Sequence, residues 1–223
     1  FGASGLLPDP QLSVFLENGV EIYRNNGWQN GVDASALPGL SKSVGAFPFT
    51  AGSLDSALAA QVGRGAYTLQ ITSPSGKSGV GLAELYELDT NGRTQNLSTR
   101  AFVGSGGDVL IGGFVVQGPA YKRVLIRGIG PTLRAFGVTD ALVDPVLTVY
   151  SGDTVVATND RWSANADLNA LREVSKKVGA FDLANDSEDA ALLLTVPPGA
   201  YTIVVSGKGN SQGIGLLEVY EAP

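Results

Sequence analysis

The sequence predicts an all-β protein built from two antiparallel β-sandwich modules, jelly-roll or immunoglobulin-like, with one short helix. Three observations carry this. Short runs rich in Val, Leu, Ile, Tyr and Thr alternate with Gly, Asn, Asp and Pro clusters at the spacing of sandwich strands. Glycine reaches 30 of 223 residues while charged residues are only 16%, a balance that suits turn-rich packed sheets and not a disordered chain. The chain also repeats itself. Trp28 returns as Trp162, Gly45-Ala46-Phe47 as Gly179-Ala180-Phe181, Gly65-Ala66-Tyr67-Thr68 as Gly199-Ala200-Tyr201-Thr202, and Glu84-Leu85-Tyr86-Glu87 as Glu218-Val219-Tyr220-Glu221, each 134 positions on. Phe1-Gly2 and Pro8-Asp9-Pro10 return as Phe136-Gly137 and Asp144-Pro145, 135 positions on. A repeat of about 134 residues thus occurs once in full, and its later two-thirds occurs twice. Residues 1–88 form a partial repeat lacking its first strands, and 89–223 a complete one.

In the complete repeat eight strands are expected, at 97–104, 108–117, 122–129, 146–151, 153–158, 190–196, 200–206 and 213–221. Alternation is clear in Ala200 to Ser206 and in Leu216 to Tyr220, so one face of each should be core. Val109 to Val116 is nearly all apolar and holds Gly112-Gly113, which predicts a central strand with a bulge or bend. Turns fall at Asn18-Gly19, Pro74-Ser75-Gly76, Asn91-Gly92, Gly104 to Gly107, Pro197-Pro198-Gly199 and Gly207 to Asn210. The helix spans Asp167 to Val178. Asp167 is its N-cap, Leu168, Leu171, Val174 and Val178 share a face, Lys176-Lys177 suit the C-terminal dipole, and Gly179 supplies the left-handed stop. The first copy places Pro38-Gly39 inside the corresponding helix, which predicts a break or a loop there.

Composition excludes much chemistry. Cys, Met and His are absent, which removes thiolate nucleophiles, His-based triads, Cys/His zinc sites and haem ligation. A chain without oxidisable Cys and Met suits a long-lived extracellular material. Net charge is −6 with Lys and Arg scattered, so neither nucleic acid nor an anionic membrane is an expected partner. No apolar run reaches membrane-spanning length, and no initiator Met or basic-then-apolar leader is present. The sequence reads as a mature chain or a stretch of a longer one.

Asp144 to Tyr150, then Asn159-Asp160-Arg161-Trp162, then Pro198 to Val205, is similar to the pre-peptidase C-terminal type of β-sandwich domain. With Leu97 to Arg100 and Arg123 to Pro131 ahead of it, the pattern resembles tandem modules of large secreted bacterial proteins. The resemblance implies extracellular building blocks, often without an assigned activity, some of which bind calcium.

Candidate sites follow from residue types. Asp144, Asp153, Asn159 and Asp160 could gather oxygen ligands for calcium at one sandwich end; turn duty is the competing explanation, since Asn and Asp are default turn residues. No other cofactor is expected. Trp28 and Trp162, one per copy, read as core anchors; an exposed Trp would instead offer a sugar-stacking platform. Val109, Leu110, Ile111, Val124, Leu125 and Ile126 are the expected inter-module packing residues. Gly104 to Gly107 and Gly128 to Pro131 lack the helix and Lys-Ser/Thr of a phosphate loop and read as turns. Glu84/Glu218 and Asp55/Asp189 recur in both copies. Recurrence favours loop hydrogen bonds or ion pairs over paired-carboxylate hydrolysis, and no catalytic residue is expected. Asn96 and Asn185 stand in glycosylation sequons, a short pattern frequent by chance.

The partial repeat supplies only five of eight strands. Three strands of lost burial, at about 25 cal/mol per Å², rival a domain's whole net stability. Three resolutions are open: residues 89–135 complete the first copy and leave 136–223 short, a neighbouring chain adds strands, or 1–88 closes on itself. The expectation is a secreted, cell-surface structural protein that assembles head-to-tail with copies of itself by strand or module complementation, giving a filament or adhesive stalk. The alternative is a calcium- or carbohydrate-binding accessory module of a secreted enzyme, with surface glycans as partners.

Overall fold

A computed structural model describes residues 5–89 and 92–223. The Phe1-Gly2 part of the repeat and Asn91 of the expected Asn91-Gly92 turn lie outside the described residues. The chain divides into two units between Arg93 and Thr94.

In the first unit, β1 (Gln11–Leu16), β2 (Glu21–Asn26) and, after the helix α1 (Leu37–Val44), β3 (Tyr67–Thr72) form one antiparallel sheet of order β2-β1-β3. The β1–β2 turn works because Gly19 takes φ 82° and Asn18 Oδ1 accepts from the Val20 amide at 3.1 Å. The helix survives its proline, against expectation. It starts late, at Leu37, so Pro38 falls in the first turn, where no intrahelical amide is required. Gly45 closes it in the left-handed conformation, φ 74°. The expectation of five strands in this unit is corrected to three among the described residues. Residues 56–62 and 79–88, counterparts of the strands at 190–196 and 213–221, form no strand. The single pairing there is a parallel bridge of Leu6 with Val80.

The second unit has eight strands: β4 (Asn96–Val103), β5 (Leu110–Val116), β6 (Lys122–Ile129), β7 (Pro145–Ser151), β8 (Thr154–Asn159), β9 (Ala190–Val196), β10 (Gly199–Gly207) and β11 (Gly213–Ala222). They make two four-stranded antiparallel sheets, β5-β10-β7-β8 and β4-β11-β6-β9. Between the sheets lies one core, including Val124, Ile126, Leu147, Val149, Ile203, Val205 and Leu217. The other face of the β4-β11-β6-β9 sheet is apolar too. Leu125, Ile129 and Tyr220 pack there with Leu171 and Val174 of α2 (Leu168–Lys177), Trp162 and Leu133. Through β11, β6 and β9 this sheet is therefore a middle layer, buried on both faces, while its edge strand β4 is exposed; that is why β6 reads as a mostly apolar run. Asp167 caps α2, its Oδ1 accepting from the Ala170 amide at 2.9 Å.

The stretch from Val109 is an edge strand, not the expected central one, and its ladder with β10 has no bulge. Its glycines serve close approach instead. A Cβ on Gly112 would lie 2.4 Å from the Leu217 side chain, and one on Gly113 2.9 Å from the Tyr201 carbonyl. The register shifts fall in the hairpins, between Val149 and Tyr150 and, in the first unit, between Val14 and Phe15.

Candidate functional site

The two units share a frame down to single hydrogen bonds. The Trp28 amide donates to the Asp55 carbonyl at 2.7 Å, as Trp162 does to Asp189 at 2.7 Å. The Ala57 amide donates to Asn25 Oδ1 at 3.1 Å, and Ala191 to Asn159 Oδ1 at 3.0 Å. The Tyr67 hydroxyl donates to Gly63 O at 2.9 Å, and Tyr201 to Pro197 O at 2.8 Å. Even the bridge recurs: the Leu7 amide donates to Val80 O at 2.9 Å, the Leu142 amide to Ile214 O at 2.8 Å. Ahead of this shared frame the second unit carries one further contiguous stretch, β4, β5 and β6.

In the second unit that stretch supplies the electrostatic centre of the middle layer. The Arg127 side chain is fully buried, and its Nε and Nη2 donate to Glu218 Oε2 at 2.7 and 2.5 Å. Its Nη1 donates to the Phe181 carbonyl at 2.6 Å, and the guanidinium lies 4.4 Å from the Phe181 ring centroid. The Tyr220 hydroxyl donates to Glu218 Oε1 at 2.9 Å, and burial, reinforced by the Glu218 charge, pushes its ionisation well above the usual tyrosine range. Such a pair persists in a low dielectric because every side-chain nitrogen of Arg127 and both oxygens of Glu218 have a hydrogen-bond partner. Nearby, buried Asp189 accepts from the Gly130 amide at 2.8 Å, the Thr132 amide at 3.3 Å, the Thr132 hydroxyl, and the Ser187 hydroxyl at 2.6 Å. Glu218 and Asp189 thus hold the second unit together through ion pairing and loop hydrogen bonds.

Their counterparts in the first unit are Glu84 and Asp55, and both are exposed. Glu84 Oε1 still accepts the Tyr86 hydroxyl, at 3.1 Å, repeating the Tyr220–Glu218 contact. Burial first, then the Glu84 hydrogen bond, raises the Tyr86 ionisation. The arginine that completes this cluster in the second unit comes from β6. Around it Leu54, Val62, Val80, Leu82, Leu85 and Leu88 are all exposed. This carboxylate-centred, apolar, strand-poor face is the candidate site.

The residues singled out from sequence are distributed differently. Trp28 and Trp162 are buried, Trp28 stacked on Phe49 at 5.0 Å and Trp162 donating to the Ala184 carbonyl at 3.2 Å. Leu110, Val124, Leu125 and Ile126 are corrected from inter-module packing to the second unit's own cores, where its sheets and α2 enclose them. Val109 is half-buried and Ile111 exposed on the β5 edge. Of the calcium candidates Asp144, Asp153, Asn159 and Asp160, Asp144 and Asp160 lie within electrostatic reach of each other and of Lys208. Asp160 Oδ2 accepts from Lys208 Nζ at 2.7 Å, which holds its ionisation below the usual range. Asn159 Oδ1 takes the Arg161 amide at 3.2 Å as well as that of Ala191. Asp153 sits in the β7–β8 turn, and burial pushes Asp144 upward. Among the described residues no three His, Cys, Asp or Glu side chains are grouped to hold a metal. Sequence reasoning missed Arg127. An arginine amid an apolar run was its signal, since a buried strand carries a charge only where a partner is built for it.

No family model matches the chain, and no curated protein matches it. Among solved structures, the pre-peptidase C-terminal domain of collagenase from Bacillus anthracis is distantly similar, with a TM-score of 0.34 and 16% identity over 58% of this chain and 99% of that domain. Among the described residues no helix is long and apolar enough to cross a membrane.

Proposed function

We propose that this chain is a structural, non-catalytic segment of an extracellular fibre or surface sheath whose repeats join by strand complementation. The single observation behind this reading is a pair of segments in the first unit whose counterparts in the second, β9 and β11, are strands. Residues 56–62 and 79–88 are kept in sequence yet form no strand, and Val62, Val80, Leu82, Leu85 and Leu88 within them are exposed. Exposed backbone donors and acceptors beside an apolar surface are what strand addition uses, and a contact that does not close on itself propagates into a filament. The absence of Cys and Met suits material that endures outside the cell. Sedimentation of the whole chain across a concentration series, with negative-stain microscopy of the same samples, tests it. Growth into head-to-tail oligomers or filaments is the expected result. A concentration-independent monomer in which the amides of 56–62 and 79–88 resist hydrogen exchange as strongly as those of β9 and β11 would end it.

A further inference from the structure

The two sheets of the second unit differ in charge. None of the four strands of β5-β10-β7-β8 contains a charged residue, whereas β4-β11-β6-β9 carries Arg100, Lys122, Arg123, Arg127, Glu218 and Glu221. The uncharged sheet still meets solvent, at Ile111, Val115, Val155 and Val156. A surface turned to water ordinarily recruits Lys and Glu, so an apolar one without charge marks a place of contact.

The edges of the sheets locate that contact. The β7–β8 ladder is broken by a register shift between Val149 and Tyr150, the kind of bulge that blunts an edge. In the other sheet β4 carries Arg100 and β9 is largely buried. β5 has none of these protections. It pairs with β10 from Leu110 to Val116 without a shift, contains neither charge nor proline, and has its outer side open.

The pattern of β5 says what fits it. Turned about a two-fold axis at Gly113 and laid antiparallel on a second copy, the strand sets Leu110 opposite Val116, Ile111 opposite Val115, and Gly112 opposite Phe114. Ile111 and Val115, now 59% and 65% exposed, then cover each other as cross-strand pairs. On the inner face Gly112 leaves the room that the Phe114 ring fills. Net charge agrees: each copy carries −6, and contact through uncharged strands brings no like charges face to face.

We propose that β5 is a homotypic edge through which two copies join by antiparallel β5–β5 pairing about Gly113, giving one continuous sheet of order β8-β7-β10-β5-β5-β10-β7-β8. This contact is isologous and stops at two copies, unlike the head-to-tail growth proposed above, and it depends on nothing in the first unit. A single seven-residue ladder falls short of the ~1,200 Å² at which stable interfaces begin, so the pairing is reversible and follows concentration.

The test uses the whole chain, whose natural sequence has no cysteine. Ile111→Cys and Val115→Cys are made singly and together; both positions are exposed, so the core is untouched. Within one strand the two positions lie about 13 Å apart, too far for a disulfide. Under mild oxidation the double variant, and an equal mixture of the two single variants, should form covalent dimer about tenfold or more faster than either single variant alone. A second measurement follows amide exchange in β5 as concentration rises. Exchange should slow in the natural chain and in Ile111→Lys with Val115→Glu, where opposite charges meet across the axis, and not in Ile111→Lys with Val115→Lys. Equal cross-linking by all variants, or β5 amides indifferent to concentration, overturns the proposal. Filaments without the β5 cross-linking pattern leave the fibre reading standing and end this one; the pattern in a chain that never forms filaments supports this one and ends the fibre reading.

Discussion

Residues 79–88 and 213–222 are nearly the same peptide. Gly, Gly, Leu, Glu, Tyr and Glu coincide at six of ten positions, yet the second is a ten-residue strand and the first is no strand at all. Strand formation here is decided by neighbours and not by the segment itself. β11 exists because β4 and β6 satisfy its two edges and because two apolar layers cover its two faces. The sheet β2-β1-β3 makes the complementary point. It reproduces β8-β7-β10 because all three of its strands are supplied within the first copy.

The strongest way to break the comparison is at the arginine. Arg127→Met strips a buried carboxylate of its partner and should destabilise the second unit by about 3–5 kcal/mol, read as the shift of its denaturant midpoint. Glu84→Gln, at the matching but exposed position, should change the first unit by no more than about 0.5 kcal/mol. If the two cost the same, Glu84 is buried in solution and the first unit is already closed. The apolar pair Ile203 and Leu69 extends the contrast. Ile203 is fully buried and Leu69 is 40% exposed, so Ile203→Ala should cost about 2–5 kcal/mol and Leu69→Ala well under half as much. Equal losses would mean that a second layer covers Leu69.

Most of the second unit is legible in its sequence. Its strands lie where the Val/Ile/Tyr runs and Gly/Asn/Pro clusters put them, and Asp167 to Gly179 mark the helix, because these signals are local. What escapes is the part that depends on partners. The Gly112-Gly113 pair reads as a bend because close packing by Leu217, a residue distant in the chain, leaves no local mark. Pro38 reads as a breaker because its distance from the helix start depends on where the preceding turn ends. Residues 56–62 and 79–88 read as strands because whether a ladder forms on them depends on residues outside the segments. At the candidate site Glu84 and Asp55 stand out by recurrence. Their roles emerge only once β6 and the loop after it are seen to serve Glu218 and Asp189.

Capping gives a smaller contrast. Asp167 accepts a hydrogen bond at the start of α2, whereas Ala36 at the start of α1 offers no side-chain acceptor. Asp167→Ala should therefore cost the second unit about 1 kcal/mol by thermal denaturation, and Ala36→Gly, which removes no cap, should cost the first unit less.

The finest contrast is one of sign. Asp9 and Asp144 are counterparts just ahead of β1 and β7, 135 positions apart, yet their carboxyls are shifted in opposite directions. Hydrogen bonds from the Ser73 hydroxyl and from Ser75 hold Asp9 below its ordinary value, while burial lifts Asp144 above it. The lowered Asp9 contributes stability that is present above the unfolded value near 3.8 and is lost as pH falls through the folded one. The raised Asp144 does the reverse: its contribution is full below 3.8 and fades as pH rises through its folded value. Asp9→Asn should thus flatten the acid side of the first unit's stability profile, and Asp144→Asn should cost the second unit less at neutral pH than at pH 3. Midpoints followed unit by unit through hydrogen exchange from pH 3 to 7 decide it. Parallel slopes would mean that Asp144 is charge-stabilised by Lys208 after all, and that the two aspartates differ only in which donor serves them.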